Sequence, residues 1–267
     1  MIRAAGKGRF AQRAAHFGVG LIGFVIVIAI WQILVTATNV GLVIPSPLEV
    51  VRRLIEVLYT PIGTQYPITI HLLISLKRVL IGYVIASVAG ILVGIGMGTF
   101  GVFHALVGPV FEIVRPIPSV AWIPLAIVWF GIGEEAKIFI ITMAAFVQIA
   151  ANSYTGARRV DTNLIGVAKM LGASDIQTFL KVILPSCVPY VVAGLQIGLS
   201  AAWMSILAAE MIAATAGVGW VISAGQSASD MTQIFVGIIV IAFTGMFLSW
   251  VLSLLEKILC RWKVRGS

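Results

Sequence analysis

Glu112 and Arg115 stand three positions apart in an otherwise apolar stretch, and Glu210 ends a run of 28 uncharged residues. Opposite charges at i and i+3 share one helical face. A charge at the centre of a bilayer costs about 2.5–3.5 kcal/mol by insertion scales, so each of these residues needs a partner or a purpose. Glu112 and Arg115 form either an internal ion pair that locks a proline-broken helix, or a pair partly open to a cavity, where Arg115 lends positive potential to a solute path. Glu210 is either a solvated carboxylate at a surface or a hydrogen-bonded anchor that holds residues 211–220 as a gate. Gly217 and Gly219 would then supply backbone angles that other residues avoid. Trp122, Gln196 and Trp203 also lie in apolar runs, where each lines a cavity or simply packs helices.

Other chemistries find no support. Cys187 and Cys260 form no ligand-spaced cluster and no disulfide framework, and His16, His71 and His104 are scattered, so no metal or other cofactor is expected. Gly18, Gly20 and Gly23 spell a dinucleotide fingerprint, but that motif needs a preceding strand and a later acidic residue. Here it follows a basic tail and opens an apolar run. No G-x-x-x-x-G-K-[ST] occurs, so this chain holds no ATP-hydrolysing site of that kind and is not expected to be an enzyme.

The elements that must hold these residues are membrane helices. The chain is 60% hydrophobic and 10% charged, with a mean hydropathy of +1.08. A soluble domain carries about 25% charged residues. The net charge of +8 does not point to nucleic acid, because the bases bracket apolar runs. Arg3, Lys7, Arg9 and Arg13 precede the first run, and Lys257, Arg261, Lys263 and Arg265 follow the last. About 20 apolar residues cross the hydrocarbon. Six spans are expected, at 17–37, 73–99, 106–130, 138–157, 186–209 and 235–256, giving an all-α polytopic fold in contact with membrane lipid. Basic tails at 1–16 and 258–267 flank a membrane domain at 17–257. The first run exceeds a cleavable signal core and is read as retained. The third span is the least regular, interrupted by Pro116, Pro118 and Pro124, and 211–229 reads as a short re-entrant or outer-surface element.

With both ends in the cytoplasm, the inner segments hold 12 of the 18 basic residues. Lys77 and Arg78 fit this orientation poorly and are expected to snorkel outward from the second span. Gly90, Gly94 and Gly98, and likewise Gly194 and Gly198, recur at four-residue steps that let backbones approach, within one bundle or between two chains.

The polar insertion at 158–185 carries the functional argument. Asp161 or Thr162 can cap a helix with Leu164, Ala168 and Leu171 on one face, ending at Gly172. Ser174 and Gln177 form an S-x-x-Q capping box for a second helix presenting Ile176, Leu180 and Ile183, which Pro185 is expected to break. Such faces lie on the chain's own bundle, on lipid headgroups, or in a groove of a soluble partner.

Gly166-Val167-Ala168, then Gly172-Ala173, then Val182, Leu184 and Pro185 resemble the EAA loop of ABC-importer permeases, with Gly166 and Val167 replacing the usual Glu and Ala. Arg115-Pro116-Ile117-Pro118, Ala121-Trp122-Ile123-Pro124-Leu125, Trp129-Phe130-Gly131-Ile132-Gly133 and Ala208-Ala209-Glu210-Met211-Ile212 resemble the taurine, alkanesulfonate and nitrate permease group. The resemblance implies a multi-pass bacterial plasma-membrane permease of type I fold, paired with a second copy of itself. Two ATP-binding cassette subunits would grip the loops below, and a periplasmic or lipid-anchored binding protein would deliver solute above. The loop would contribute Leu164, Gly166, Val167, Ala168, Leu171, Gly172, Ala173, Leu184 and Pro185. Bicarbonate, an aromatic carboxylate or a vitamin precursor stand as alternative solutes, and a non-transporting scaffold as an alternative function.

Overall fold

A computed structural model of the chain describes residues 2–38, 41, 43–63 and 66–259, and among them there is no strand beyond an isolated bridge between Ile62 and Tyr66. Cys260, Arg261, Lys263 and Arg265 lie outside the described residues, as do the side chains of Arg3, Lys7, Arg9, Arg13, His16 and Lys257. The helices are α1 (Ile2–Ala37), α2 (Pro47–Tyr59), α3 (Ile68–Thr99), α4 (Gly101–Val114), α5 (Ile123–Phe130), α6 (Glu134–Arg158), α7 (Thr162–Met170), α8 (Asp175–Thr178), α9 (Leu184–Ala213), α10 (Val218–Ser227) and α11 (Met231–Leu259).

Among the described residues, five helical stretches are long and apolar enough to cross a membrane: Gly18–Ala37, Ile68–Thr99, Glu134–Arg158, Asp175–Ile212 and Met231–Leu254. At 1.5 Å per residue, the 25 residues of α6 exceed the roughly 30 Å of hydrocarbon. The third expected span, 106–130, is not one rod: Gly101–Val114 and Ser119–Phe130 meet at 96°. Pro116 and Pro118 cause the elbow, because neither has an N–H to continue the helical ladder. The chain turns instead through bonds from Ile117 N to Val114 O and from Ala121 N to Pro118 O.

The core is a layer of α3, α6 and α9. Val79 and Ala86, Ile141, Ala145 and Ile149, and Leu199, Ala202 and Ile206 meet there in one buried cluster. Glycines set the spacing. A side chain at Gly90 would meet Ile149, one at Gly94 would meet Ser153 and the Ala150 carbonyl, and one at Gly198 would meet Ile149. Both glycine rows therefore serve packing within one bundle. Gly18, Gly20 and Gly23 are helical residues of α1 with open space around them, with no strand before them.

Helix α2 is absent from the expectations above, although its signal is local. Ser46 and Glu49 form a reciprocal capping box with Pro47 at the first turn. Val50 and Val57 bury that face against Ile62, Ile68, Val221 and Val236. The stretch 211–229 contains the end of α9, a turn and the ten-residue α10; α10 packs on α9 and α11.

Candidate functional site

Helices α3, α6 and α9 each have one end near the 158–185 insertion and the other near the α9–α10 turn, so the bundle has two opposed working ends. At the first end, Asp161 caps α7 by accepting from Asn163 N. Gly172 takes φ 78°, and its N–H reaches Lys169 O while Ala173 N reaches Ala168 O, the paired bonds of a left-handed helix stop. Ser174 and Gln177 make the expected capping box in both directions. Lys169 and Asp175 pair at 3.2 Å across the hook.

Pro185 does not end the second helix. A π-helical turn over Phe179–Ile183 passes directly into α9, with Leu184 N donating to Phe179 O. The wider turn lifts the carbonyls that the proline ring would strike, so the stretch continues to Ala213. The hook's inner residues Ile165, Phe179, Val182 and Ile183 pack on Ile95, Ala157, Val160 and Cys187. Its outer residues are uncovered: Leu164 is 52% exposed, Met170 81%, Leu171 83% and Ile176 72%. Leu164, Val167, Ala168 and Leu171 face Val182 and Pro185 across a concavity of about 680 Å³. Among the described residues, nothing beyond its own helical turn lies within 4 Å of where a Gly166 side chain would be.

At the other end Glu210 is 0% exposed, so the solvated reading fails and the hydrogen-bonded one describes the geometry. Ser75 Oγ lies 2.8 Å from both carboxylate oxygens, Arg78 NH1 donates at 2.7 Å, and Gly219 N donates at 2.9 Å. Arg78 also grips Glu134 with Nε and NH2, both at 2.6 Å, and Ala216 O at 2.7 Å. Lys137 completes the set, 3.0 Å from Glu134. Two acids thus meet two bases, so the buried Arg78, Lys137 and Glu210 each face an opposite charge, with Glu134 half exposed. Of the two residues expected to snorkel, Arg78 does not, being 5% exposed, whereas Lys77 is exposed; Lys137 is buried like Arg78.

The turn after α9 is fitted onto this cluster. Gly217 N donates to His71 Nδ1 and Val218 N to Ser75 Oγ, while His71 stacks on Trp220 at 5.1 Å. Gly217 has φ 127°, and a side chain there would run into the Glu210 carboxylate. A side chain at Gly219 would meet Glu210 Cβ at 2.7 Å and Leu207 O at 2.8 Å. His71, Ser75, Arg78, Glu134 and Lys137 are absent from the sequence-derived candidates. The available signal was Arg78 itself, a cation inside an apolar run whose obligatory partner had to be a distant acid.

The five path candidates do not come together. Arg115 and Trp122 line a small cavity at the α4–α5 elbow. Gln196 and Trp203 line a separate groove of about 470 Å³ between α9 and α11. There Gln196 donates to Glu256 at 2.9 Å, and the buried Trp203 donates to Ile241 O at 3.2 Å. Glu112 is exposed and 3.9 Å from Arg115, too loose to lock anything.

Residues 67–264 match the family model described as a binding-protein-dependent transport system inner membrane component. The chain belongs to this family. It is 35% identical over 238 residues to the taurine transport system permease protein TauC of Escherichia coli, covering 89% of this chain and 86% of TauC. It is 30% identical over 241 residues to the nitrate import permease protein NrtB of a Synechocystis strain, covering 89% and 87%. It is 32% identical over 249 residues to the putative aliphatic sulfonates transport permease protein SsuC of Bacillus subtilis, covering 91% of this chain and 87% of SsuC. A chain in an inward-facing structure of the MetNI methionine ABC transporter shares the fold, with a TM-score of 0.60 and 21% identity over 69% of this chain and 92% of that one. This binding-protein-dependent component is therefore a multi-pass inner-membrane ABC-importer permease of the TauC, NrtB and SsuC type. Such permeases work with ATP-binding subunits and a substrate-binding protein.

Proposed function

We propose that this permease forms the path for a small oxyanion-bearing solute, of the taurine, alkanesulfonate or nitrate kind, and that ATP drives it by alternating access. Two copies would enclose the path, two ATP-hydrolysing subunits would bind the hooks, and a periplasmic or lipid-anchored protein would load solute at the far end. Both chain ends then lie on the ATPase side, where most basic residues fall.

The observation that carries this reading is the hook's outer face. Leu164, Met170, Leu171 and Ile176 are uncovered, while the residues beneath them are packed on the bundle. An apolar face held rigidly by its back suits a groove on a separate motor. The hook also runs without a break from Asp175 to Ile212, so a push on it is delivered to Glu210 and the turn it anchors. Nucleotide shifts such states only by binding them unequally.

The test is reconstitution with the cognate ATPase and binding protein in proteoliposomes. Loaded binding protein should stimulate hydrolysis and drive accumulation of the anion. An ATPase indifferent to the binding protein would favour the scaffold reading, and accumulation of a different solute would favour the same fold with another cargo.

A further inference from the structure

We propose that the cavity at the α4–α5 elbow, built by Arg115, Ser119, Trp122 and Gln148, is a binding site for the oxyanion head group of the transported solute. The proposal rests on the transport reading above and goes beyond it by naming the site and its donors.

The elbow exists because Pro116 and Pro118 break the third span, and the break leaves a cavity of about 180 Å³ against α6 and Ala201 of α9. A liquid water occupies about 30 Å³, so an anion of four or five heavy atoms fits with solvent to spare. Each polar side chain of the lining carries at least one N–H or O–H. Arg115 supplies a guanidinium, Gln148 an amide, Trp122 an indole N–H and Ser119 a hydroxyl. The lining contains no carboxylate.

The guanidinium is also underused. Among the described residues its one ionic contact is Glu112 at 3.9 Å, beyond hydrogen-bond reach, and Glu112 does not line the cavity. Five N–H donors therefore remain for a planar or tripodal oxyanion, the geometry that a guanidinium fork matches. Contrast Arg78, whose Nε, NH1 and NH2 all engage protein acceptors. Ser119 Oγ lies 2.7 Å from Ser205 Oγ on α9, which ties the cavity wall to the helix that continues from the hook. Gln148 stands 14 residues into α6, about 21 Å along it at 1.5 Å per residue. The cavity therefore sits between the two working ends, deep enough for a charge to be costly without a partner.

The test places a single thiol at Ser119 in a C187A C260S background, within the complete transporter in nanodiscs. Its rate of modification is measured with two methanethiosulfonate reagents of similar size, one bearing a sulfonate and the other a trimethylammonium. Divided by the same reagent's rate with a small thiol in solution, the rate should be at least about tenfold higher for the sulfonate reagent, because one cation attracts the first and repels the second. Nitrate and methanesulfonate should slow labelling, while uncharged dimethyl sulfone should not. Arg115→Gln should abolish both the preference and the protection. Gln148→Cys repeats the test if Ser119→Cys assembles poorly. Equal normalised rates for the two reagents, or a preference that survives Arg115→Gln, would overturn the site. Stimulation of ATPase by the binding protein and net solute uptake are followed in parallel. Intact anion transport without charge preference at Ser119 removes only the site, whereas loss of anion transport from the unmodified complex removes the wider reading.

Discussion

Arg78 of α3 and Glu210 of α9, separated by 132 positions in the chain, meet at 2.7 Å with the glutamate wholly buried. Through Glu134, held by the other side of the same guanidinium, the contact joins all three core helices. It also seats the turn leading into α10, since Arg78 reaches Ala216 O and Glu210 receives Gly219 N.

Removing one member should therefore cost more than removing the pair. Arg78→Met leaves Glu210 buried without its cation, a loss of about 3–5 kcal/mol. The double variant R78M E210M keeps Glu134 beside Lys137 and should recover much of that loss. Glu210→Gln keeps the shape and should be milder than Arg78→Met. Thermal unfolding of the purified permease in detergent checks the order, and equal losses for the single and double variants would contradict it.

The turn should tolerate no side chain at Gly217. An alanine there meets the Glu210 carboxylate and must hold φ near 127°, in a region costing about 1–3 kcal/mol for such a residue. Gly217→Ala should loosen the α9–α10 connection before it unfolds the bundle. Limited proteolysis between residues 213 and 218 would reveal it as faster cleavage; an unchanged cleavage rate would count against the seating described.

At the hook, Leu171→Asp should release the ATPase subunits and spare the permease. Leu171 is 83% exposed, so a charge there costs the fold little. Co-purification should fall at least about tenfold, the size of a 1.4 kcal/mol change in binding, while the melting temperature of the permease stays put. An ATPase that remains bound and drives uptake would end the lever interpretation.

Two glycine substitutions should behave oppositely. Gly166 has open space around it within α7, so Gly166→Ala should steady that helix by about 1 kcal/mol. Gly94→Ala would press into Ser153 Cβ at 2.6 Å and Tyr154 N at 3.0 Å, forcing α3 away from α6. Hydrogen exchange over 162–171 should slow in the first variant, and thermal stability should fall in the second.

Local patterns were enough to place much of this molecule. Apolar runs long enough to span a bilayer, the capping box at Ser174, the stop at Gly172 and the prolines of the elbow act over a few residues, so their consequences follow from order along the chain. The same holds for α2, whose cap at Ser46 was legible. The four-residue glycine steps announced close packing but not with whom; contact with α6 decided that. Whether Glu210 was solvated or anchored depended on Ser75 and Arg78, which no spacing connects to it, because burial and charge pairing arise only when distant helices are brought side by side. Pro185 teaches the same lesson locally: the residue predicts a break, and packing of Phe179, Val182 and Ile183 on the bundle holds a π turn that lets the helix run on.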